Sequence, residues 1–362
     1  MLTLYEHGGN VYHAAKILNV SISEILDFSS NVLPFHILDN VLSKEQIETQ
    51  ELLKILTKLP EPYSESLKLK LSKKLNLSEQ NISIGSGTTE FIQIICSLYR
   101  GKNAHLFIPT YGDYEKFLYA NAANINFTVA SETNNFVHKL DIKNNVCLKN
   151  VEVLFLCNPN NPTGSLLHKE EILYLINTFK NTLFVMDESY MPFVKNFQKY
   201  SLINTNAENL IILNSFSKAY GLPGLRLGWV YSCNKQLINK IISLQSAWPI
   251  SSLSQILGNI LLDHSMDLYI EKLQKNKGYL YKNLLPYKGI KIFKSTTNFF
   301  MFKYLRNNPE KFYNFFFRNK ILLRNLENIR GLNNNYFRIS ISTIENIDYF
   351  LNILKEYIQI EM

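Results

Sequence analysis

Residues 214–228 read Asn-Ser-Phe-Ser-Lys-Ala-Tyr-Gly-Leu-Pro-Gly-Leu-Arg-Leu-Gly and follow the apolar run Leu210-Ile211-Ile212-Leu213. The run predicts a buried strand, and the Gly-rich stretch predicts a turn at its carboxyl end. Lys218 follows the small hydroxyl residues Ser215 and Ser217 in this turn, with Arg226 eight positions on. Such an amine is suited to condense with an aldehyde, whereas a solvated lysine at a strand end is the alternative for this stretch taken alone.

A second strand end supplies an acid and a phenol. Leu183-Phe184-Val185-Met186 predicts a buried strand that leads into Asp187. A carboxylate in that position can pair with a pyridine nitrogen and keep it protonated, which makes the ring an electron sink. Tyr190 comes three residues later and can hydrogen-bond a 3-oxygen on the same ring.

A third strand end supplies an amide. The run 151–157 leads into Asn158-Pro159-Asn160-Asn161-Pro162-Thr163-Gly164, a turn that can aim the Asn161 side chain at the same oxygen. Asn161, the Asp187/Tyr190 pair and Lys218 thus end three predicted strands and converge on one ligand. These residues predict pyridoxal 5'-phosphate (PLP) as the cofactor.

The motifs together resemble the fold-type-I PLP enzymes of the class I/II aminotransferase superfamily. They are Asn-Pro-x-Asn-Pro-Thr-Gly, Asp-Glu-x-Tyr, and Ser-x-Ser-Lys followed by Gly-x-Arg-x-Gly. The resemblance covers nearly the whole chain. It implies an α/β fold whose large domain holds a mostly parallel seven-stranded sheet between helices, with a smaller α/β C-terminal domain. It also implies a homodimer with active sites near the interface.

The apolar pattern predicts the same organisation. Strand-like runs alternate with helical stretches such as Phe91–Tyr99, Tyr114–Ala120 and Lys169–Thr178, which favours a mostly parallel sheet covered by helices with ligands at the strands' carboxyl ends. The runs are 81–85, 103–109, 124–130, 151–157, 182–187, 210–214 and 225–232. Later residues predict helices at about 235–247 and 253–285, strands at 290–293, 298–303, 321–324 and 336–342, and a helix from Ile344 to Ile358.

We divide the chain into three parts. Residues 1–30 form an N-terminal arm that packs on the small domain and the substrate site, residues 31–235 the large PLP-binding domain, and residues 236–362 the small C-terminal domain. A flexible arm is the alternative for the first segment.

A Gly-rich turn before the stretch at Phe91 is the candidate phosphate site. Gly85-Ser86-Gly87-Thr88-Thr89-Glu90 comes after a short strand and opens a helix, where free amides and the helix dipole favour anions. A plain helix cap is the alternative. The resemblance implies that this turn binds the PLP phosphate. It also implies that Tyr111 stacks on the PLP ring. The expected cofactor contacts from these segments are Gly87, Thr88, Thr89, Tyr111, Ser215, Ser217 and Arg226.

Two further segments resemble L-threonine-O-3-phosphate decarboxylases of cobamide (vitamin B12) biosynthesis. His7-Gly8-Gly9-Asn10 and the later turn 27–31 match their opening. Residues 321–332 are similar to the segment by which these decarboxylases and histidinol-phosphate aminotransferases hold a phosphorylated substrate. Arg324 is the resulting candidate for the substrate phosphate, with Arg330 and His7 as weaker ones.

The remaining substrate contacts come from the same resemblance. Arg338 lies inside an apolar strand, where a charge needs a partner, and it matches the arginine that pairs with the substrate α-carboxylate. Asn31 and Asn298 are expected to orient the substrate.

The chain departs from the decarboxylase pattern at three positions. Leu33 replaces an asparagine and His36 a glycine, which suggests that O-phospho-L-serine is accepted at least comparably with O-phospho-L-threonine. Leu59 replaces a tyrosine that relatives lend across the dimer to the cofactor phosphate, and nearby Tyr63 is not assigned.

The resemblance implies PLP-dependent decarboxylation of one of these phosphoamino acids to an amino-alcohol phosphate for cobamide nucleotide-loop synthesis. Histidinol-phosphate aminotransferase, or a related class I/II aminotransferase, is the alternative, because the same groups run transamination when a different bond is aligned. A PLP-type ligand sensor of a transcription regulator would carry a separate N-terminal DNA-binding domain, and a PLP-free structural protein is the remaining alternative.

Composition bounds the partners. The 362 residues carry a net charge of +8, but Lys and Arg are scattered, so nucleic acid is not expected. No run approaches the roughly 20 apolar residues of a membrane span and no signal region opens the chain, which favours a cytoplasmic protein. The four cysteines lack Cys-x-x-Cys spacing and are expected to be free thiols, with no metal site.

Overall fold

The computed structural model describes residues 7–38, 49–140 and 148–361. Within these ranges the strands form three sheets. The strands are β1 (Leu26–Asp27), β2 (Ile82–Gly85), β3 (Asn103–Ile108), β4 (Asn124–Val129), β5 (Val153–Cys157), β6 (Leu183–Asp187), β7 (Leu210–Ser215), β8 (Gly228–Tyr231), β9 (Ile290–Ile292), β10 (Phe299–Tyr304), β11 (Ile321–Leu322), β12 (Arg324–Asn325) and β13 (Tyr336–Ser340). The α-helices are α1 (Val11–Leu18), α2 (Thr49–Leu56), α3 (Glu65–Leu75), α4 (Gly87–Leu98), α5 (Gly112–Ala120), α6 (Lys169–Thr178), α7 (Phe216–Ala219), α8 (Lys235–Ile242), α9 (Ser252–Leu261), α10 (Asp267–Leu284), α11 (Pro309–Arg318) and α12 (Ile344–Glu361).

The largest sheet contains the seven predicted strands in the order β2-β8-β7-β6-β5-β3-β4. All neighbouring pairs are parallel except those of β8, which runs antiparallel to β2 and β7. Every residue of β5 and β6 is buried, because a parallel sheet is covered on both faces and its strands are continuously apolar. The predicted α/β fold with a mostly parallel seven-stranded sheet is confirmed.

A second sheet lies in the C-terminal part of the chain. It has the order β12-β13-β10-β9 and is antiparallel throughout. A separate parallel pair joins β1, near the start of the chain, to β11. Ala14, Ala15 and Ile25 share a hydrophobic cluster with Phe317 and Leu322, so the early segment packs against the C-terminal part. The division of the chain at residues 30 and 235 stays a prediction.

Three predicted elements need correction. The single strand at 321–324 is two short strands in different sheets, because the chain turns between β11 and β12. The helix at 253–285 is interrupted between Leu261 and Asp267, where the Ser265 hydroxyl accepts a hydrogen bond from the amide of Asp267, the first residue of α10. The helix expected to reach residue 247 ends at Ile242.

The described residues can be searched for membrane-spanning helices, metal sites and paired cysteines. None of the helices in the three described ranges has the length and apolar character needed to cross a bilayer. Those same residues contain no group of three or more His, Cys, Asp or Glu side chains placed to hold a metal ion. Cys96, Cys157 and Cys233 are free thiols, and Cys147 lies outside the described residues.

A buried histidine makes the fold sensitive to acid. His138 is 3% exposed, and neither ring nitrogen has a hydrogen-bond partner in the described part of the chain. Burial, with a smaller contribution from His105, lowers the pKa of His138 from 6.5 to about 4. The folded state therefore binds fewer protons than the unfolded state between these values. The stability contribution of neutral His138 is complete above about pH 6.5 and is lost as the pH falls towards 4.

His138→Leu is therefore expected to reduce the loss of unfolding free energy between pH 7 and pH 5, by on the order of 1–2 kcal/mol. Urea unfolding at the two pH values measures it. His36→Ala, at an exposed histidine, is the control and should leave the pH dependence unchanged. An unaltered pH dependence in His138→Leu would contradict the prediction.

Candidate active site

The candidate site is a cavity of about 760 Å³ that includes the carboxyl ends of β5, β6 and β7 in its wall. Sixteen of the seventeen predicted site residues line it. The predicted cofactor contacts on the wall are Gly87, Thr88, Thr89, Tyr111, Asn161, Asp187, Tyr190, Ser215, Ser217, Lys218 and Arg226. The predicted substrate contacts on the wall are His7, Asn31, Arg324, Arg330 and Arg338.

Lys218 lies on α7, a single helical turn directly after β7. Its Nζ is 3.4 Å from Asn31 Oδ1 and 5.9 Å from the centre of the Tyr190 ring. Burial, followed by the positive charges of Arg338 and Arg226, lowers the pKa of Lys218 from 10.5 to about 8. A substantial fraction of the amine is therefore neutral near pH 8, as condensation with an aldehyde requires.

Asp187 ends β6 as a buried carboxylate with fixed orientation. Its Oδ1 accepts a hydrogen bond of 2.9 Å from the Ser189 amide, and its Oδ2 accepts one of 2.7 Å from the Tyr114 hydroxyl. Each carboxylate oxygen has further acceptor capacity, so Asp187 can also accept from a protonated pyridine nitrogen. This geometry fits the role predicted for it.

Tyr190 and Asn161 are both held with donor hydrogens to spare. Asn31 bridges the site, because its Oδ1 accepts from Lys218 and its Nδ2 donates to the Tyr190 hydroxyl. The Tyr190 oxygen is thus an acceptor in this bond, and its own hydrogen remains for another acceptor. Asn161 Oδ1 accepts from Arg338, which leaves the Asn161 Nδ2 hydrogens for a ring oxygen.

The part of the cavity wall at the start of α4 suits an anion. Gly87 begins α4 with φ of +73°, and a Cβ at this position would lie 2.9 Å from an Arg226 guanidinium nitrogen. The glycine therefore lets the guanidinium approach the start of the helix closely. Backbone amides, the Thr88 and Thr89 side chains and the Ser215 hydroxyl add donors. This donor set fits the phosphate of PLP.

Two buried arginines lie directly opposite each other on neighbouring strands. Arg324 on β12 pairs in register with Arg338 on β13, and they are 7% and 6% exposed. Burial and the charge of Arg338 lower the pKa of Arg324 from 12.5 to about 10. Burial also lowers the pKa of Arg338. Like charges opposite each other destabilise a sheet, so anions bound in this cavity would offset the cost.

Each of these arginines donates hydrogen bonds to neutral groups. Arg338 donates to Asn161 and, at 2.6 Å, to the Ser29 carbonyl oxygen, while its buried Nε has no partner among the described residues. Arg324 donates to Asn328 Oδ1 at 2.7 Å. Both guanidinium groups therefore suit anionic parts of a small molecule.

The weaker phosphate candidates are bound to carboxylates on α5. His7 Nε2 is 3.0 Å from Asp113 Oδ1, and an Arg330 guanidinium nitrogen is 2.6 Å from Glu115 Oε1. Burial alone would raise the pKa of Asp113, but hydrogen bonds from His7 and Tyr111 hold it below its usual value. Both candidates line the cavity, and each has a carboxylate partner on α5.

Several predicted positions do not reach the cavity. Asn298 is fully buried but absent from the wall, and its side-chain amide has no hydrogen-bond partner in the described part of the chain. Leu33 is buried elsewhere, with its amide 3.0 Å from the Lys218 carbonyl oxygen, and His36 is exposed. Neither side chain lines the cavity, and the acceptance of O-phospho-L-serine inferred from these two positions stays a prediction.

The cross-dimer contact stays open. Leu59 and Tyr63 are 72% and 44% exposed. The homodimer remains a prediction.

The sequence pattern did not identify two other groups at the site. Tyr114 lies behind the wall and reaches Asp187, and Glu115 pairs with Arg330. The three-residue spacing of Tyr111 and Tyr114 at the start of a predicted helix was an available signal, because it puts two rings on one helix side.

The chain is similar in sequence and in fold to known proteins. A family model described as "Aminotransferase class I and II" matches residues 23–354. A histidinol-phosphate aminotransferase from Methanocaldococcus jannaschii is 28% identical over 98% of this chain and 95% of its own length. The adenosylcobalamin biosynthesis bifunctional protein CobDQ of Leptospira interrogans is 30% identical over 97% of this chain. The matched region is 41% of the length of that longer protein. The crystal structure of L-threonine-O-3-phosphate decarboxylase from Porphyromonas gingivalis superposes with a TM-score of 0.82 at 27% identity, covering 92% of this chain and all of that one.

Proposed function

The chain belongs to the class I and II aminotransferase family, whose cofactor is PLP, and from this premise we propose that it decarboxylates an O-phosphorylated amino acid. The substrate is L-threonine O-3-phosphate, O-phospho-L-serine or both. The products are CO2 and an amino-alcohol phosphate, which serves cobamide nucleotide-loop synthesis. The similarity to a CobDQ protein and to a threonine-phosphate decarboxylase structure supports this assignment.

The observation that carries the proposal is the in-register pair of Arg324 and Arg338 in one cavity with Lys218. A phosphoamino acid has an amine for the lysine position and two separate anionic groups, a carboxylate and a phosphate. Two buried guanidinium groups match these two anions in number and charge. We assign the carboxylate to Arg338 and the phosphate to Arg324.

The side chains divide the work of the reaction. Bound PLP supplies the electron sink that accepts the electron pair left when a bond at the substrate Cα breaks. Asp187 would hold the proton on the pyridine nitrogen of bound PLP, and Tyr190 would donate to its 3-oxygen. Arg338 and Arg324 would hold the two anionic ends of the substrate, and the orientation they impose would decide which bond at Cα breaks. The carboxylate leaves as CO2, and Lys218 delivers a proton to Cα in its place.

Histidinol-phosphate aminotransferase is the second candidate, since a relative of that name matches 98% of this chain. Histidinol phosphate carries a phosphate and an amine but no carboxylate. Histidinol phosphate would therefore bind to only one arginine of the pair during the first half-reaction. The acid that later accepts the amino group would bind to the other arginine.

One assay separates these functions. Purified protein loaded with PLP is incubated with carboxyl-labelled O-phospho-L-threonine or O-phospho-L-serine, and released CO2 is counted. A parallel reaction measures amino transfer from histidinol phosphate to 2-oxoglutarate. CO2 release with either phosphoamino acid, well above transfer, is expected. Transfer without CO2 release would overturn the decarboxylase assignment.

Arg324→Ala is expected to lower kcat/KM for the phosphorylated substrate by an amount equivalent to about 2–4 kcal/mol, because a charged partner is lost from a buried site. The measurement compares O-phospho-L-threonine with L-threonine, and the second substrate should lose much less. Arg318→Ala, at an exposed arginine ending α11, is the control and should behave like the unmodified protein. An equal loss on both substrates would remove Arg324 from phosphate recognition.

A further inference from the structure

Tyr114 is fully buried and does not line the cavity, but its side chain contacts Asp187, which does. It lies on α5, and its ring stacks on Phe155 of β5 at 5.2 Å with an interplanar angle of 21°. The Tyr111 ring lies edge-on at 5.4 Å and itself lines the cavity. The Tyr114 hydroxyl donates to Asp187 Oδ2 at 2.7 Å.

The hydroxyl group distinguishes Tyr114 from an ordinary core aromatic. A phenylalanine would fill the same space, whereas a hydroxyl in a fully buried position costs free energy unless it is hydrogen-bonded. The Asp187 carboxylate accepts the hydrogen of this hydroxyl. Burial and the Asp187 charge raise the pKa of Tyr114, so the phenol keeps its hydrogen and acts as the donor.

The bond matters because of what Asp187 must do. A carboxylate that holds a proton on a pyridine nitrogen must itself remain the weaker base of the pair. Each hydrogen bond donated to an ionised carboxylate stabilises the charged form and fixes the orientation of the group. Ser189 supplies one such bond from the backbone, and Tyr114 supplies another from a side chain.

We propose that Tyr114 is a positioning residue that acts through Asp187, fixing the carboxylate and keeping the proton on the cofactor's pyridine nitrogen. The inference depends on the cofactor site alone, so it holds for decarboxylation and for transamination. Failure of the proposed substrate assignment would leave it intact.

The test uses Tyr114→Phe, which keeps the ring and removes only the hydroxyl. With the proton held less firmly on the pyridine nitrogen, the ring withdraws fewer electrons and the nitrogen that joins it to Lys218 becomes more basic. The pH midpoint of the visible absorption band of the PLP-loaded protein should therefore rise, by about 0.5–1 unit. PLP affinity, titrated into the cofactor-free protein, should weaken about tenfold.

Tyr336→Phe is the matched control. Tyr336 is also a buried tyrosine whose hydroxyl donates to a carboxylate, that of Glu132, but it does not line the cavity. It should leave both the midpoint and the PLP affinity unchanged. Circular dichroism and thermal melting of the cofactor-free variants establish that each one folds.

A double-mutant cycle shows whether the effect runs through Asp187. In an Asp187→Asn background, Tyr114→Phe should produce no additional shift of the midpoint. If Tyr114→Phe does not fold, Tyr114→His, a smaller ring with an N–H donor, takes its place and should keep the midpoint within about 0.3 unit of the unmodified protein. The pH midpoint of the absorption band decides between the outcomes. The proposal is overturned if Tyr114→Phe leaves the midpoint unshifted, or if Tyr114→Phe still shifts it fully in the Asp187→Asn background. Where Tyr114→His replaces Tyr114→Phe, a shift larger than about 0.3 unit overturns it.

Discussion

Lys218→Ala is expected to abolish the borohydride-reducible bond between the protein and PLP and to lower turnover by roughly a thousandfold or more. Lys218 carries an amine on the cavity wall, within reach of the groups that hold the cofactor ring. Its lowered pKa, about 8, provides neutral amine at moderate pH. Borohydride reduction and then peptide mass analysis identify the modified residue.

Lys277→Ala is the matched control for this experiment. Burial also lowers the pKa of Lys277 to about 8, but its Nζ donates to the Ser295 carbonyl oxygen at 2.7 Å and it does not line the cavity. Lys277 has a lowered pKa but no access to the cavity, so borohydride should not attach PLP to it in the unmodified protein. The Lys277→Ala variant should therefore keep the reducible bond between PLP and Lys218. Label on Lys277, or on any lysine other than Lys218, would refute the assignment.

Asp187→Asn is expected to reduce turnover by roughly 10²- to 10⁴-fold with little change in fold, because it removes the charge that keeps the pyridine nitrogen protonated. Asparagine has the same shape, and its side-chain oxygen can still accept the bond from Tyr114. Turnover and the absorption spectrum of the PLP-loaded variant are the measurements.

Glu188→Gln makes the same chemical change one residue away. The buried Glu188 accepts hydrogen bonds from the Ser201 hydroxyl at 2.6 Å and the Leu202 amide at 2.7 Å, and it does not line the cavity. Burial raises its pKa to about 7, so a neutral amide is tolerated there and activity should stay close to normal. An Asp187→Asn protein with PLP bound and near-normal turnover would rule out the electron-sink role.

Strands β5, β6 and β7 were predictable because each contains a continuous apolar run that leads into turn residues, whereas β4 was predictable from alternating apolar and polar residues. Asp187, Asn161 and Lys218 were predictable for a related reason, since chemistry-bearing residues at the ends of parallel strands meet at one edge. Local sequence thus determines both the strands and the turns at their carboxyl ends. The helix Lys169–Thr178 begins and ends at the predicted residues.

Contacts between distant segments were not predictable in this way. The hydrogen bond from Tyr114 to Asp187 joins residues 73 positions apart, and the pair of Glu115 with Arg330 joins residues 215 apart. No local pattern specifies which helix face meets which strand end. The exposure of His36 is a similar case, because a loop residue can point either way until the surrounding packing decides.

The pairing of β1 with β11 has a consequence for the order in which the enzyme is made. The strands of the seven-stranded sheet all lie between residues 82 and 231, so every strand that carries the cofactor groups has been synthesised while the last third of the chain is still missing. Leu26 must wait for Ile321, almost three hundred residues later, before it gains its strand partner. Arg324 comes shortly after that partner. A ribosome stalled after residue 231 would therefore hold a chain that contains every strand of this sheet, with Asp187 and Lys218, but neither Arg324 nor Arg338.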